Sequence, residues 1–465
     1  MSAPPMDIYI PPSMSYFVKR LSGVSTSTVR MTNLSQTSAS AGSTIKIKFP
    51  TNAIVNLSSF TMYAYGYLTG TNAACWPKLS QSLIGQMRVS IGGQMISGGN
   101  CQEVGVLYNI GSRLQQSEPQ TSMLRLQHLG SDCELSTGTA TATYSGATPR
   151  RDPIVIDDWP FFLSATPRYL HTGILPEMIV DIVLAPNAVL GSAGATYTLD
   201  NIYFTIEVIQ FDNDLYSKIL ETRLANGDTI EIPFMDAHYI IKPASNIIET
   251  QVSANAINKL FVIPRATNSA TTQAVPVNGL TKPFIFTAGS SGTADVFRNI
   301  AKTAYWSIDN KMYPQQPATV PELYQMTLDA FGDRASTSAA NSLLLEPKLL
   351  TPVIVKQDGT ATDVWVASGT GGPTNVQVKL PPMTAYKYID PIENYLTRNC
   401  IFCLNLEINE GADQRLISGY SSVGKNAVIR FDASNFLGVD VDLTMFVLVK
   451  RCLKVRAGQQ IFLEM

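Results

Sequence analysis

Three sets of residues in this chain have types and spacings that could do chemistry. The stretch VSIGGQMISGG, Val89 to Gly99, holds four glycines, and closely spaced glycines can cradle a phosphate on bare backbone N–H groups. Cys400 and Cys403 form a CxxC, the spacing of a metal chelate or a redox pair. Two acidic groups, Asp157-Asp158 beside Trp159 and the run Glu407 to Glu410, are the raw material for the paired carboxylates of glycoside hydrolysis. His128, His171 and His238 complete the candidates.

The elements that would hold these residues decide against most of this chemistry. Cys400-Ile401-Phe402-Cys403-Leu404-Asn405-Leu406 reads as a buried strand, and two residues three apart on a strand point to opposite faces. There is no second CxxC, the histidines lack ligand spacing, and Cys75, Cys101, Cys133 and Cys452 are scattered, so no metal or cofactor site is expected. Adjacent acids near turns usually end elements in solvent, so no catalytic site is expected either. For the glycine stretch, the sequence offers its own control. SIGGQM at Ser90 to Met95 reappears as SIDNKM at Ser307 to Met312. A phosphate cradle would keep its glycines, yet the second copy replaces Gly92-Gly93 with Asp309-Asn310. What the two pairs share is tolerance of positive φ, the requirement of a two-residue hairpin turn. Both pairs are therefore read as turns, with Val89 facing Ile96 in one hairpin and Trp306 facing Tyr313 in the other. No Gly-Lys-Ser/Thr follows, which removes the nucleotide reading.

The repeat extends further. TIKIKF (Thr44 to Phe49) is echoed by TIEIPF (Thr229 to Phe234), and each hairpin precedes a short helix with Leu-Tyr in it, Leu107-Tyr108 and Leu323-Tyr324. Each half ends in a long apolar strand, Asn201 to Phe211 and Asp442 to Val455. Alternating runs such as Ile202 to Val208 dominate, and helical periodicity is confined to Glu103 to Leu114, Asn213 to Leu224 and Pro321 to Phe331. The expected fold is mainly β: two tandem eight-stranded antiparallel jelly-roll sandwiches joined by a short helix, with a few short connecting helices. The expected division is an arm at 1–24, a first roll at 25–212, a linking helix at 213–227 and a second roll at 228–465.

Composition narrows the function classes. Charged residues are 15% of the 465, against roughly 25% in an ordinary soluble domain, and the net charge is −2. No basic domain is present to bind nucleic acid. A large surface poor in charge suits extensive contact with neighbours. The N-terminus lacks the features of a secretory signal, and no apolar run approaches the ~18 residues of a membrane span.

RVSIGGQMI (Arg88 to Ile96) with the helix VGVLYNIGSRL after it, LPEMIVDIVLAPNAVL (Leu175 to Leu190), DNIYFTIEVIQFDNDLY (Asp200 to Tyr216) and SGYSSVGKNAVIRFD (Ser418 to Asp432) carry a resemblance. The sequence resembles the double jelly-roll major capsid proteins of double-stranded DNA viruses, most of all those of polinton-like viruses, virophages and nucleocytoplasmic large DNA viruses. The resemblance implies a homotrimer whose six rolls form a pseudo-hexagonal capsomer tiling an icosahedral shell. It implies neighbouring trimers, minor capsid proteins and penton proteins as partners, and a place in the virion after synthesis in the host cytoplasm or a viral factory. An inner arm with Lys19, Arg20 and Arg30 is expected to meet genome or internal membrane, and outer loops a host receptor. The competing expectation is a carbohydrate-binding or adhesive β-sandwich, with Trp76, Trp159, Trp306 and Trp365 as stacking platforms.

Overall fold

The computed structural model describes residues 24–31, 33–69, 76–77, 79–115, 151–191, 193–211, 215–274, 281–289, 299–330, 354–355, 361–362, 391–407 and 418–464. The first half folds as two facing sheets. One joins β1 (Val24–Met31), β10 (Thr196–Phe211), β4 (Ile54–Thr69) and β7 (Asp152–Ile156) in that order, with β2 (Ala39–Ser40) on β10 and β8 (Tyr169–His171) on β4. The other runs β3 (Thr44–Lys48), β9 (Met178–Leu184), β5 (Ile84–Ile91), β6 (Gln94–Ser97). Strict alternation explains both. In β4, Phe60, Met62, Ala64 and Leu68 point inward, while Thr61, Tyr63, Tyr65 and Tyr67 point outward. Phe60 centres the core, its ring 5.2 Å from Phe49 and 5.3 Å from both Phe204 and Trp159.

The second half repeats the plan. β11 (Ile230–Lys242), β20 (Val441–Arg456), β13 (Ile257–Ala266) and β18 (Phe402–Asn405) form one sheet, extended by β21 (Gln460–Glu464) on β20. β12 (Ile247–Gln251), β19 (Val428–Asp432), β14 (Thr303–Ile308) and β15 (Lys311–Thr319) form the other. A separate two-strand ladder pairs β16 (Ile354–Val355) with β17 (Ala361–Thr362). Among the described residues each sandwich thus carries more than a bare eight strands in two equal sheets: six and four in the first half, five and four in the second. Helices α1 (Val104–Gln115) and α3 (Val320–Asp329) each follow a hairpin, α2 (Leu215–Ala225) links the halves and α4 (Pro391–Arg398) precedes β18. In α3, Pro321 sits in the first turn and the Thr319 N–H donates to Glu322 Oε2 at 2.6 Å.

The topology corrects one repeat. The order β1-β10-β4-β7 corresponds to β11-β20-β13-β18, and β3-β9-β5-β6 to β12-β19-β14-β15. The hairpins SIGGQM and SIDNKM are therefore equivalent. TIKIKF lies on β3 and TIEIPF on β11, which is the counterpart of β1 and not of β3, so these two are similar strands in different places. Any edge strand with one buried face favours such an alternation, which makes it a weak marker of descent.

The two sandwiches share a wall. Along β13, Leu260 and Val262 point into the second core, whereas Phe261 and Ile263 point into packing continuous with the first. β20 does the same: Met445, Val447 and Val449 serve the second core, and Phe446, Leu453 and Val455 the first. Nearly every residue of β20 is buried, as expected of a strand covered on both faces.

Candidate functional site

The hairpin turns come first. Gly92 and Gly93 have φ of 57° and 80°, and Asp309 and Asn310 have 51° and 62°. The Gly92 N–H donates to Glu177 O at 2.8 Å and the Asp309 N–H to Val428 O at 3.1 Å, so each first N–H is already used by a neighbouring strand. Trp306 pairs with Tyr313. In the first hairpin, however, Val89 pairs with Ser97 and Ser90 with Met95, because a bulge admits Ile96 as an extra residue. The expected Val89–Ile96 pairing is corrected accordingly; both side chains are buried all the same.

Cys400 belongs to the second core and Cys403 to the first, on opposite sides of the shared wall, and burial pushes the Cys400 thiol well up. Cys75, Cys133, His128 and Trp365 lie outside the described residues, as do Lys19 and Arg20. Arg30 is not in an arm: it lies on β1 opposite Thr205, its guanidinium 3.9 Å from the Tyr203 ring. Trp76, Trp159 and Trp306 are core side chains; Trp76 donates to Asp152 and Trp159 to Phe60 O. They offer sugars no stacking face.

Asp158 and Glu407, from the two acidic groups, do meet at one place. They line a cleft of about 500 Å³ in the seam between the sandwiches, with Asp236, Lys259 and Lys450 among the charged walls and Tyr108, Phe161, Phe234 and Phe261 among the apolar ones. Glu407 faces Lys450 at 3.5 Å, and burial, with the charge of Asp157, raises the carboxyl of Asp158.

The seam itself is built from paired buried groups of which sequence reasoning singled out His238 alone. The Gly98 N–H donates to Asp236 Oδ1 at 3.0 Å, and Asp236 Oδ2 lies 2.8 Å from Arg451 Nη1. Arg451 Nη2 is 3.1 Å from His238 Nε2, and His238 Nδ1 is 3.3 Å from the Asn100 amide. Burial first, then the Arg451 charge, push His238 down to about 4. Burial raises Asp236 against the opposing pull of Arg451 and of the Gly98 and Ala237 N–H groups. Nearby, Arg265, fully buried, reaches Glu103 at 2.7 Å and Thr444 at 2.7 and 3.1 Å. Gln273 donates to Asn187 O and Ala195 O and accepts from the Gly194 N–H. One signal was available: KR at 450–451 follows the apolar run Met445 to Val449 directly, and charges inside a doubly buried strand must find partners.

Among the described residues, the equivalent sheet of the first sandwich has no such cover. On its outer face Tyr63 stacks on Tyr203 at 5.0 Å, and Tyr65 is 44% exposed. Its edge strand β1 is exposed almost throughout, whereas the corresponding β11 is held by the first half: the Tyr239 N–H donates to Asn100 O and the Thr166 N–H to Pro233 O.

Two sandwiches of matching strand order, one sheet shared between their cores, define the architecture. The fold is the double jelly roll. The PBCV-1 virus capsid protein, in a quasi-atomic model, superposes with a TM-score of 0.54 at 10% identity, covering 97% of this chain and 99% of the other. The Sputnik virophage structure at 3.5 Å gives 0.50 at 11%, covering 100% and 94%, and the Faustovirus major capsid protein 0.50 at 9%, covering 96% and 93%. No family model matches the sequence, and no curated protein matches it. The double jelly roll is therefore legible in the backbone where pairwise sequence comparison is not.

Proposed function

We propose that this protein is a viral major capsid protein that assembles as a homotrimer, with no catalytic role. One observation carries the trimer: topologically equivalent sheets are treated differently. The outer face of the β11-β20-β13-β18 sheet is buried against the first roll of the same chain. Among the described residues, the outer face of the β1-β10-β4-β7 sheet, with its tyrosines and exposed edge strand, has no counterpart cover. A second copy supplying its second roll to that face would repeat the internal contact head to tail. A head-to-tail contact closes into a ring when its rotation divides a full turn, and in the trimer reading three copies place six rolls around one axis. The solved structures of the same fold are viral capsid proteins, which supports this reading over a sugar-binding surface.

In this reading the rolls occupy 25–212 and 228–465, joined through 213–227. Further partners are neighbouring trimers, minor capsid proteins and penton proteins, and the location is the virion shell. Lys19 and Arg20 in the arm face genome or membrane, and outer loops face a receptor. The test is native mass by light scattering behind a sizing column. The chain is 50.6 kDa, and a species three times heavier is expected. Tyr65→Lys buries a charge in the proposed contact and is expected to yield monomer that keeps its β-sheet circular dichroism. A wild-type monomer at all concentrations, or an unaffected trimer in Tyr65→Lys, overturns the assignment of that face.

A further inference from the structure

The seam between the rolls holds a histidine whose geometry admits one protonation state. His238 Nε2 faces the Arg451 guanidinium at 3.1 Å, and a guanidinium only donates. Nε2 must therefore be the unprotonated acceptor, and the ring proton sits on Nδ1. Nδ1 lies 3.3 Å from Asn100 Nδ2, and turning that amide by 180° presents its oxygen to the ring N–H. The neutral ring thus joins β11 of the second roll to the turn that leads into α1 of the first.

Among the described residues the charged groups of this part of the seam stand in pairs, and Arg451 is the one that acts on the ring. On its own strand stands Asp236, bonded to Arg451 from β20 and to the Gly98 N–H from the first roll. On the α1 side stands Glu103, bonded to Arg265 from β13. Tyr239 and the buried thiol of Cys101 lie between these pairs and are neutral. Two carboxylates face two guanidinium groups, so among the described residues a proton on His238 finds no unpaired counter-ion.

We propose that His238, Arg451 and Asp236 form an acid-operated latch between the two rolls: a proton taken up by His238 removes the acceptor at Nε2, sets a second cation against Arg451, and releases the 98–100 turn from β11. Protonation of Asp236 works in the same direction on the latch, since it withdraws the charge that holds Arg451 and weakens the acceptor for Gly98. The Tyr239 N–H to Asn100 O bond, 2.9 Å long, is the adjacent contact that opens with it. In the capsid reading, the same proton loosens each subunit from within. The latch is internal to one chain, so its test reads the same on monomer or trimer and stands or falls apart from the assembly.

The experiment is hydrogen exchange by mass spectrometry on the full chain at pH 7 and pH 4, corrected for the intrinsic rate. Peptides spanning 98–101 and 237–240 are expected to lose protection by up to about 100-fold in the wild type. In His238→Gln, whose amide oxygen still accepts but does not titrate, they are expected to lose much less, the remainder being the share of Asp236. Equal loss in both proteins overturns the proposal. Exchange of the His238 ring C2 proton on the wild type alone gives a second readout, independent of how the variant folds. A midpoint near 4 is expected, and a midpoint near the ordinary 6.5 overturns the latch.

Discussion

Removing one carboxylate, that of Glu103, should unseat the first roll from the second. Arg265 is wholly buried, and its guanidinium has Thr444 and Glu103 as partners while Nη1 has none. Glu103 retains 21% of its side-chain exposure. Glu103→Ala therefore leaves a cation in the seam with only the hydroxyls of Thr444 and Tyr239 beside it. Breaking a buried pair from one side costs about 3–5 kcal/mol, and the partial exposure of Glu103 puts the expected loss at about 3 kcal/mol. Glu103→Met with Arg265→Met removes the charge, its partner and the orphaned Nη1 together. That pair of changes is expected to lie within about 1 kcal/mol of the wild type, because apolar replacements of buried ion pairs are often neutral or better. The assay is urea unfolding followed by tryptophan fluorescence, with Trp76 and Trp159 reporting the first core and Trp306 the second. The single variant must be less stable than the double. If Glu103→Ala costs under about 1 kcal/mol, the pair behaves as a surface bridge, and the argument from burial is refuted.

His238→Gln should flatten the pH dependence of stability. A histidine held near 4 binds its proton less readily folded than unfolded, so the wild type loses stability as pH falls from 6.5, by about 3 kcal/mol at pH 4. Urea midpoints at pH 7 and pH 4 for both proteins check it; parallel losses would contradict it. Gly98→Ala should prevent proper folding, since a Cβ there would sit 1.7 Å from Met87 O at a φ of 76°. Gly93→Ala, where a Cβ meets nothing within 4 Å, should cost only about 1 kcal/mol for its positive φ, and soluble yields with thermal melts separate the two. Gln273→Ala leaves two carbonyls and one N–H in the 187–195 loop without this partner, and should raise proteolysis of that loop while the cores keep their exchange protection.

The elements were legible because alternation on β4, β9 and β10 is a direct print of one buried face. The equivalence of the hairpins was legible because a turn that needs positive φ restricts the residues that fit. Register at the first hairpin was not, since a bulge changes which residues face each other without changing their types. The equivalence of TIKIKF and TIEIPF failed for the opposite reason: two strands in the same local environment look alike wherever they sit. The seam was the least legible part. Asp236 and His238 on β11 lie more than 200 residues before Arg451 on β20, and the three conform to no motif; only pairing those strands and packing the first roll on them makes one cluster. The uncovered tyrosines were equally silent, because Tyr63 and Tyr65 on the outer face and buried Tyr197 read the same in a strand.

The sheet shared by the two cores also sets an order of events in synthesis. β20, at Val441–Arg456, gives side chains to both cores, and it is the last long strand of the chain to leave the ribosome. Until it emerges, Phe261 and Ile263 have no neighbouring Phe446, and the first roll closes on an incomplete surface. The nascent chain consequently carries an open seam on its first roll until β20 completes the shared wall. A chain stopped before Val441 would hold every described strand of the first roll, but a second roll without the strand that joins β11 to β13.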